Sequence, residues 1–356
     1  MSLTHFRTLG RSGLVVSPAA LGTMTFGNTA WGSADEVSQA VFNAYIDAGG
    51  NFIDTADIYA GGRSETLIGN CMAQRKLRDK VVLASKFGFN AEAGNPNAGG
   101  NGRKNIHRAL EGSLKRLQTD YLDLYWLHVY DTVTPVEEVL QTLGDLVRAG
   151  KIRYFAFSDM PAWYTVKAAT LAAAHCVPGP IAMQMQYSLV DRSIEREHVP
   201  AAQEFGLGIM PWSPLAGGFL SGKYKQDKQW DKGGELQVGR LSGSNPFGGP
   251  FTKFTDKNWL ILEKLTHIAT ELGKPPAQVA LAWTAAQPGM SSLILGANNP
   301  NQLAENLSAL DLKLSPEHTE ALNQCSALEA GSLYDIFSNW GNKMIFGGAL
   351  VQGQYK

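Results

Sequence analysis

Eight short apolar runs, separated by amphipathic stretches, restrict what this 356-residue chain can become more than any other feature. They are Ala19–Gly22, Asn51–Asp54, Val81–Ser85, Leu122–Leu127, Ile152–Phe157, Ile181–Met185, Gly208–Pro211 and Leu293–Leu295. Each is too short for a helix and is bounded by turn residues, so each reads as a strand. Strands alternating with helices favour a parallel sheet, and eight of them favour closure as a (β/α)8 TIM barrel. Barrels reach this length as one unit, so residues 1–356 read as a single domain. The barrel then covers about residues 5–325, and residues 326–356 form a C-terminal tail. The N-terminal FRTLGRSGLVVSP reads as a β-hairpin ahead of the first barrel strand.

The helices carry end signals. Ser33-Ala34-Asp35-Glu36 reads as a capping box, and Gly49-Gly50 as the stop of that helix. Thr134-Pro135-Val136-Glu137 repeats the pattern, with Pro135 expected at the first helical position and Gly150 as the stop. Ser64 reads as the N-cap of another helix. Residues 87–103 and 213–257 are long segments that follow strands, which places them on the C-terminal face of a barrel, where catalysis occurs. The stretch Ser332–Lys356 shows no helical period but carries Tyr334, Phe337, Trp340 and Phe346. It is expected either to cover the mouth or to contact another subunit.

Charge excludes some partners. Lys plus Arg number 31 and Asp plus Glu 32, so nothing favours nucleic acid or an anionic membrane. The N-terminal residues lack the apolar core of a secretory signal, and no run reaches the roughly 18 apolar residues of a membrane span. Cys71, Cys176 and Cys325 lie far apart, with no ligand cluster around them. The expectation is a reduced cytoplasmic protein without a metal.

Chemistry gathers at the strand ends. In NFIDTADIYAGGRSE (51–65), Asp54, Asp57 and Tyr59 follow an apolar strand, which marks a solvated turn or the edge of an active site. The next two strands deliver Lys86 and His128. Taken singly, these are a packed tyrosine, a solvated lysine and a core histidine. Together, on consecutive strand ends, they converge on one mouth. A phenol with a pKa near 10 is a poor acid at neutral pH, and a nearby ammonium lowers that pKa. A carboxylate beside the lysine keeps it charged, and an imidazole directs a carbonyl oxygen. That set fits general-acid catalysis at a carbonyl. A lysine at a barrel strand end also permits Schiff-base chemistry, which leaves the tyrosine without a role.

The segments GTMTFG (22–27), FIDTADIYAGGRSE (52–65), SKFG (85–88), LYWLH (124–128), QMQYSLVDR (184–192), PWSPLAGGFLSGKY (211–224) and LGANNPNQLAEN (295–306) occur in that order. In them the chain resembles the aldo-keto reductases, in the branch of bacterial aryl-aldehyde reductases and voltage-gated potassium-channel β-subunits. The resemblance implies an oxidoreductase that reversibly reduces aldehyde or ketone carbonyls by hydride transfer. It implies Tyr59 as proton donor, Lys86 as its partner, Asp54 in support and His128 positioning the carbonyl. Asp57 matches the pattern but receives no catalytic role.

The resemblance also implies a nicotinamide site. Ser158, Asp159 and Gln184 match the residues that hold the carboxamide, Trp212 matches the stacking aromatic, and Thr23, Met24 and Asp54 complete that set. Ser213, Leu215 and Gly217 match a pyrophosphate loop, with Lys223 and Arg240 in reach of phosphates. Gly296, Asn298, Gln302, Glu305 and Asn306 match an adenosine site, where Asn299-Pro300 reads as an N-cap and first helical residue that leaves backbone N–H groups for an anion. No G-x-G-x-x-G follows a strand. Asp159 stands where the family commonly has Asn, and an ionised carboxylate cannot donate to an amide oxygen. Asn298 stands where many relatives place Ser, Arg or Lys. NADP(H) is the expected cofactor, with NAD(H) as the alternative. Phe26, Trp31, Phe87, Phe89 and Tyr130 are candidates to line a pocket for an aromatic or bulky carbonyl. The alternative function is a nicotinamide-binding regulatory subunit with weak turnover. Such subunits typically lack the histidine found here at 128. A homo-oligomer is left open.

Overall fold

A computed structural model describes residues 3–29, 32–224, 226, 241, 253–329, 331–336, 339–349 and 351. Arg240, Trp31 and Phe337 lie outside the described residues.

Two short strands, β1 (Arg7–Thr8) and β2 (Val15–Val16), form the expected antiparallel hairpin. Eight parallel strands follow. They are β3 (Ala19–Gly22), β4 (Phe52–Asp54), β5 (Val82–Phe87), β6 (Leu122–Leu127), β7 (Ile152–Ser158), β8 (Ala182–Gln186), β9 (Gly208–Trp212) and β10 (Leu293–Leu295). Their order is β10-β3-β4-β5-β6-β7-β8-β9. A parallel bridge between Ile209 and Met290 brings β9 against the chain leading into β10. The Ser291 N–H donates to the Ile209 carbonyl there at 2.8 Å, so the barrel all but closes. All eight expected strands are present, most ending within a residue of the apolar run.

Strand alternation builds two cores. Phe52, Val82, Ala84, Leu124, Trp126, Ala156, Ala182 and Met210 fill the barrel. Their neighbours Ile53, Leu83, Phe87, Tyr125, Leu127 and Phe157 face the helices. Leu9, Leu14 and Val16 of the hairpin join the inner cluster, so the hairpin plugs the barrel's N-terminal end. The open end is therefore the C-terminal one.

The surrounding helices are α1 (Asp35–Asp47), α2 (Arg63–Arg75), α3 (Arg103–Leu117), α4 (Val136–Arg148), α5 (Ala162–Ala174), α6 (His198–Phe205), α7 (Asp256–Glu271), α8 (Pro276–Ala285), α9 (Pro300–Ser308), α10 (Pro316–Cys325), α11 (Ser332–Ile336) and α12 (Asn339–Ile345). Several start signals act differently from expectation. The N-cap of α1 is Ala34, without a side-chain cap, because the Ser33 hydroxyl donates instead to the Asn298 carbonyl at 3.2 Å. Pro135 is the N-cap of α4, not its first helical residue, and the Thr134 hydroxyl donates to Asp131 at 2.9 Å. Gly62, at φ 90°, is the N-cap of α2. Ser64 is buried within that helix, bonded to Thr55 at 3.0 Å and donating to the Thr23 carbonyl at 2.9 Å. Partners in distant segments took the Ser33 and Ser64 hydroxyls, and Asp131 in the preceding turn took that of Thr134, so none of them was left to cap its helix.

The tail is also more regular than expected. Helices α11 and α12 occupy part of it, each too short to show a 3.6-residue period. Tyr334 hydrogen-bonds Glu197 beside α6, with the Arg196 guanidinium 5.1 Å from its ring centre. Among the described residues, no tail residue lines the mouth of the barrel.

Candidate active site

The inner face of the barrel turns polar at its top. Two positions beyond the apolar residues Phe52, Ala84, Trp126, Ala156, Ala182 and Met210, the same strand parity brings Asp54, Lys86, His128, Ser158, Gln184 and Trp212 inward. Registers stagger around the barrel, with Asp54 opposite Ala84 and Lys86 opposite Trp126. Lys86 and His128 therefore each stand further along the axis than the residue before, Ser158 and Gln184 are paired level, and Trp212 steps forward again, the uneven stagger that gives a barrel its shear. Five of the six, all but the fully buried Lys86, line one cavity of about 410 Å³ at the C-terminal end, a size suited to a small ligand.

Lys86 is fully buried. Its ammonium contacts an Asp54 carboxylate oxygen, the Thr55 carbonyl at 3.0 Å and the Tyr59 hydroxyl at 3.1 Å. Three N–H bonds meet three acceptors. The second oxygen of Asp54 accepts from the Gln184 amide at 3.1 Å. Burial works against the charge on Lys86, but Asp54 and Tyr59 outweigh it and hold the ammonium above its usual range. Burial pushes the Asp54 carboxyl up while Lys86 and Gln184 pull it back. The ionised pair is the state that satisfies every polar atom of both groups, and we take it as the resting one.

Tyr59 reaches Lys86 from a turn outside the strand. Ala60, Gly61 and Gly62 follow it with φ of 47°, 63° and 90°. Three consecutive left-handed residues reverse the chain into α2, and glycine at two of them keeps the cost low. His128 sits edge-on to Tyr59, ring centres 5.8 Å apart. Burial and then Lys86 push its pKa well down, so the imidazole is neutral at pH 7. Its Nδ1 has no hydrogen-bond partner among the described residues. Behind Tyr59, buried Glu65 accepts from Ser85 at 2.5 Å and from Arg116 at 2.6 Å. Asp57 lies there too, and burial, reinforced by Glu65, lifts its carboxyl to about 7. It does not line the cavity, which fits the structural reading of that residue.

The opposite wall is built differently. Ser158 is buried, and its hydroxyl has no partner among the described residues. Asp159 follows it at φ 48°, a conformation that Asn and Asp tolerate better than most residues. One Asp159 oxygen accepts from the Trp212 indole at 3.0 Å. Burial lifts the Asp159 carboxyl to about 6, opposed chiefly by the Trp212 hydrogen bond and the Lys86 charge; the Ser158 hydroxyl lies close enough to contribute but is not in hydrogen-bond geometry with it. After Trp212, residues Ser213, Ala216, Gly217 and Gly218 all have positive φ. The Ser213 hydroxyl accepts from the Gly217 N–H at 3.0 Å, closing a tight loop, while Leu215 packs into the helix layer. A Cβ at Gly218 would meet the end of the Lys223 side chain at 3.0 Å, so that lysine folds over the loop. Ser213, Ala216 and Gly217 line the cavity, so the backbone of this tight loop borders the space open to a ligand.

Thr23 and Met24 line the cavity, and the Thr23 hydroxyl donates to the Asp54 carbonyl at 3.1 Å. Gly296 lines it from the β10 side. Asn298, Gln302 and Glu305 are exposed beyond it, and buried Asn306 donates to the Gly296 carbonyl at 3.5 Å. Asn299 caps α9 as expected, accepting from the Gln302 N–H at 2.9 Å. Gln302 in turn accepts from the Asn298 N–H at 2.7 Å. Of the first-turn donors expected to be open to an anion, the Gln302 N–H is thus engaged by the cap.

Of the aromatic candidates for the pocket, Phe89 lines it. Phe26 and Phe87 are core residues on the helix-facing side, and Tyr130 packs on Trp163 and Tyr164 instead. For Phe87 the reason is parity, since Lys86 takes the inward position. The sequence reading missed Gln186 and Lys253, which also line the cavity. Gln186 shares the inward parity of Gln184 and was readable from it. Lys253 lies far from any strand, 3.3 Å from Asp191, and carried no local signal.

The model of the aldo/keto reductase family matches residues 19–327. Among curated proteins, the chain is 36% identical over 329 residues to the uncharacterized oxidoreductase YrpG of Bacillus subtilis, covering 90% of this chain and 95% of that one. It is 37% identical over 319 residues to a probable voltage-gated potassium channel subunit beta of rice, covering 88% and 94%. It is 32% identical over 339 residues to norsolorinic acid reductase of Aspergillus flavus, covering 92% and 83%. The chain belongs to the aldo/keto reductase family. As such it is an NAD(P)H-dependent oxidoreductase whose substrate is a small-molecule carbonyl compound.

Proposed function

We propose that the protein reduces aldehydes or ketones with NADPH, using Tyr59 as the general acid. The observation that carries this reading is the triple engagement of the buried Lys86 ammonium, with Tyr59 as its third acceptor. An ammonium at 3.1 Å stabilises the phenolate left after proton donation. Asp54 holds that ammonium in place and charged. Neutral His128 lines the same cavity and can donate to the carbonyl oxygen that Tyr59 protonates. When bound, the reduced nicotinamide supplies the hydride. Trp212 supports its ring, Ser158, Asp159 and Gln184 face its carboxamide, and the Ser213–Gly217 loop with Lys223 takes its pyrophosphate. Gly296, Asn298, Gln302, Glu305 and Asn306 take the adenosine. The preference for NADPH over NADH rests on Lys223 and on the branch resemblance. The apolar cavity wall around Phe89 fits an aromatic or bulky carbonyl.

Tyr59→Phe tests the acid directly. We expect kcat to fall about 10²- to 10⁴-fold, with NADPH binding retained. An unchanged kcat removes Tyr59 from the mechanism, and a strong NADH preference in the wild-type protein removes the cofactor assignment. The second reading is a nicotinamide-binding regulatory subunit, and it draws on the similarity to the rice channel subunit. A stable channel partner together with negligible turnover would establish that reading in place of the first.

A further inference from the structure

We infer that Asp159 tunes the site toward the oxidised cofactor by standing as an uncompensated carboxylate against the nicotinamide ring. The inference rests on the proposed placement of that ring on Trp212. Its chemical basis is simple. The oxidised ring carries a positive charge and the reduced ring is neutral, so a nearby anion discriminates between them.

The surrounding charges leave Asp159 as the unbalanced one. Asp54 and Lys86 form a buried pair and largely cancel. His128 is neutral, and the Tyr59 hydroxyl is bonded to Lys86. Lys253 lines the cavity but sits 3.3 Å from Asp191. Asp159 itself forms no ion pair among the described residues; its hydrogen bond is to the uncharged Trp212 indole, and the more distant Lys86 charge, the Ser158 side chain and the Gln186 N–H draw its carboxyl down less than burial raises it. The indole that would carry the ring is thus hydrogen-bonded to an anion.

The neighbouring serine shows how an aspartate fits here. A carboxylate accepts from the carboxamide NH2 but cannot serve the carboxamide oxygen. The buried Ser158 hydroxyl, without a partner among the described residues, is the donor for that oxygen. Backbone shape is unaffected by the Asn-to-Asp difference, because both residues suit φ near 48°. Charge is what changes.

The pH dependence follows. Burial places the Asp159 carboxyl at about 6, so the discrimination is present above that pH and absent below it. Asp57 titrates near 7, but it faces Glu65, Arg108 and Arg116 and lies outside the cavity lining.

Titration calorimetry of the full chain with NADP+ and with NADPH, at pH 5 and pH 8, tests the inference. At pH 8 we expect D159N to lower the preference for NADP+ over NADPH on the order of tenfold relative to wild type, or about 1.4 kcal/mol. Wild type at pH 5 should resemble D159N, and D159N should show little change between the two pH values. An unchanged ratio in D159N, with Trp212→Leu weakening both cofactors, overturns the role of Asp159 and leaves the ring placement standing. Trp212→Leu binding both cofactors as tightly as wild type overturns the placement, and the inference with it.

Discussion

Each side of the cavity holds one inward carboxylate, and the two are treated in opposite ways. Asp54, on the β4 side, meets an ammonium, and both of its oxygens are hydrogen-bonded. Asp159, on the β7 side, meets an indole N–H and no ion-pair partner among the described residues. Both carboxyls are pushed up by burial. Only the first has its charge answered from within the fold. A compensated charge belongs to the protein's own architecture, whereas an uncompensated one anticipates something positive from outside.

The largest test breaks the compensated side. Lys86→Met leaves Asp54 buried without its counter-ion, and urea unfolding at pH 7 should show a loss of about 3–5 kcal/mol, together with loss of carbonyl reduction. A variant as stable as wild type would mean that the pair is not part of the scaffold, and the contrast would fail.

A second test uses a third carboxylate. Asp57 is buried, its Oδ1 lacks a hydrogen-bond partner among the described residues, and its nearest like charge is Glu65. Its carboxyl is lifted from the ordinary 3.8 to about 7. For a raised acid the stability contribution is intact below about pH 4 and lost as pH climbs through 7, because the unfolded chain ionises first. Asp57→Asn should remove that loss. The variant should gain on the order of 4 kcal/mol relative to wild type between pH 4 and pH 8, read from unfolding curves. A parallel pH dependence in both proteins would show that Arg108 and Arg116 compensate Asp57 after all.

The smallest effect belongs to the open side. The Ser158 hydroxyl bonds nothing among the described residues, so Ser158→Ala should change unfolding stability by less than about 0.5 kcal/mol. Cofactor affinity should fall roughly fivefold, the worth of about one hydrogen bond. A stability loss larger than the binding loss would reverse the assignment of that hydroxyl from ligand to fold.

The sequence made the compensated side more legible than the open one. Asp54, Lys86 and His128 lie at the ends of apolar runs, and strand parity alone sends them inward. Ser158, Gln184 and Trp212 obey the same parity, but their neighbours Asp159 and Ser213 depend on positive φ values that no pattern of polar and apolar residues announces. The aromatic wall was misread for the converse reason. Phe87 is next to Lys86, and one step along a strand reverses the face. The hydroxyls of Ser33, Ser64 and Thr134 were misread because their partners lie in other segments or in the preceding turn. Lys253 lines the cavity from 41 residues beyond the end of β9 at Trp212, outside the reach of any local rule.

Strand alternation also bears on how such a protein can diverge. A substitution at one inward position changes one side chain of the cavity floor. Loss or gain of a single residue within β5 would instead exchange Lys86 for Phe87 and turn the ammonium out among the helices. The barrel therefore tolerates changes of letter in its strands but not changes of length. New substrate preferences can arise instead by lengthening and shortening residues 88–102, between β5 and α3, where the reading frame of the sheet is not at stake.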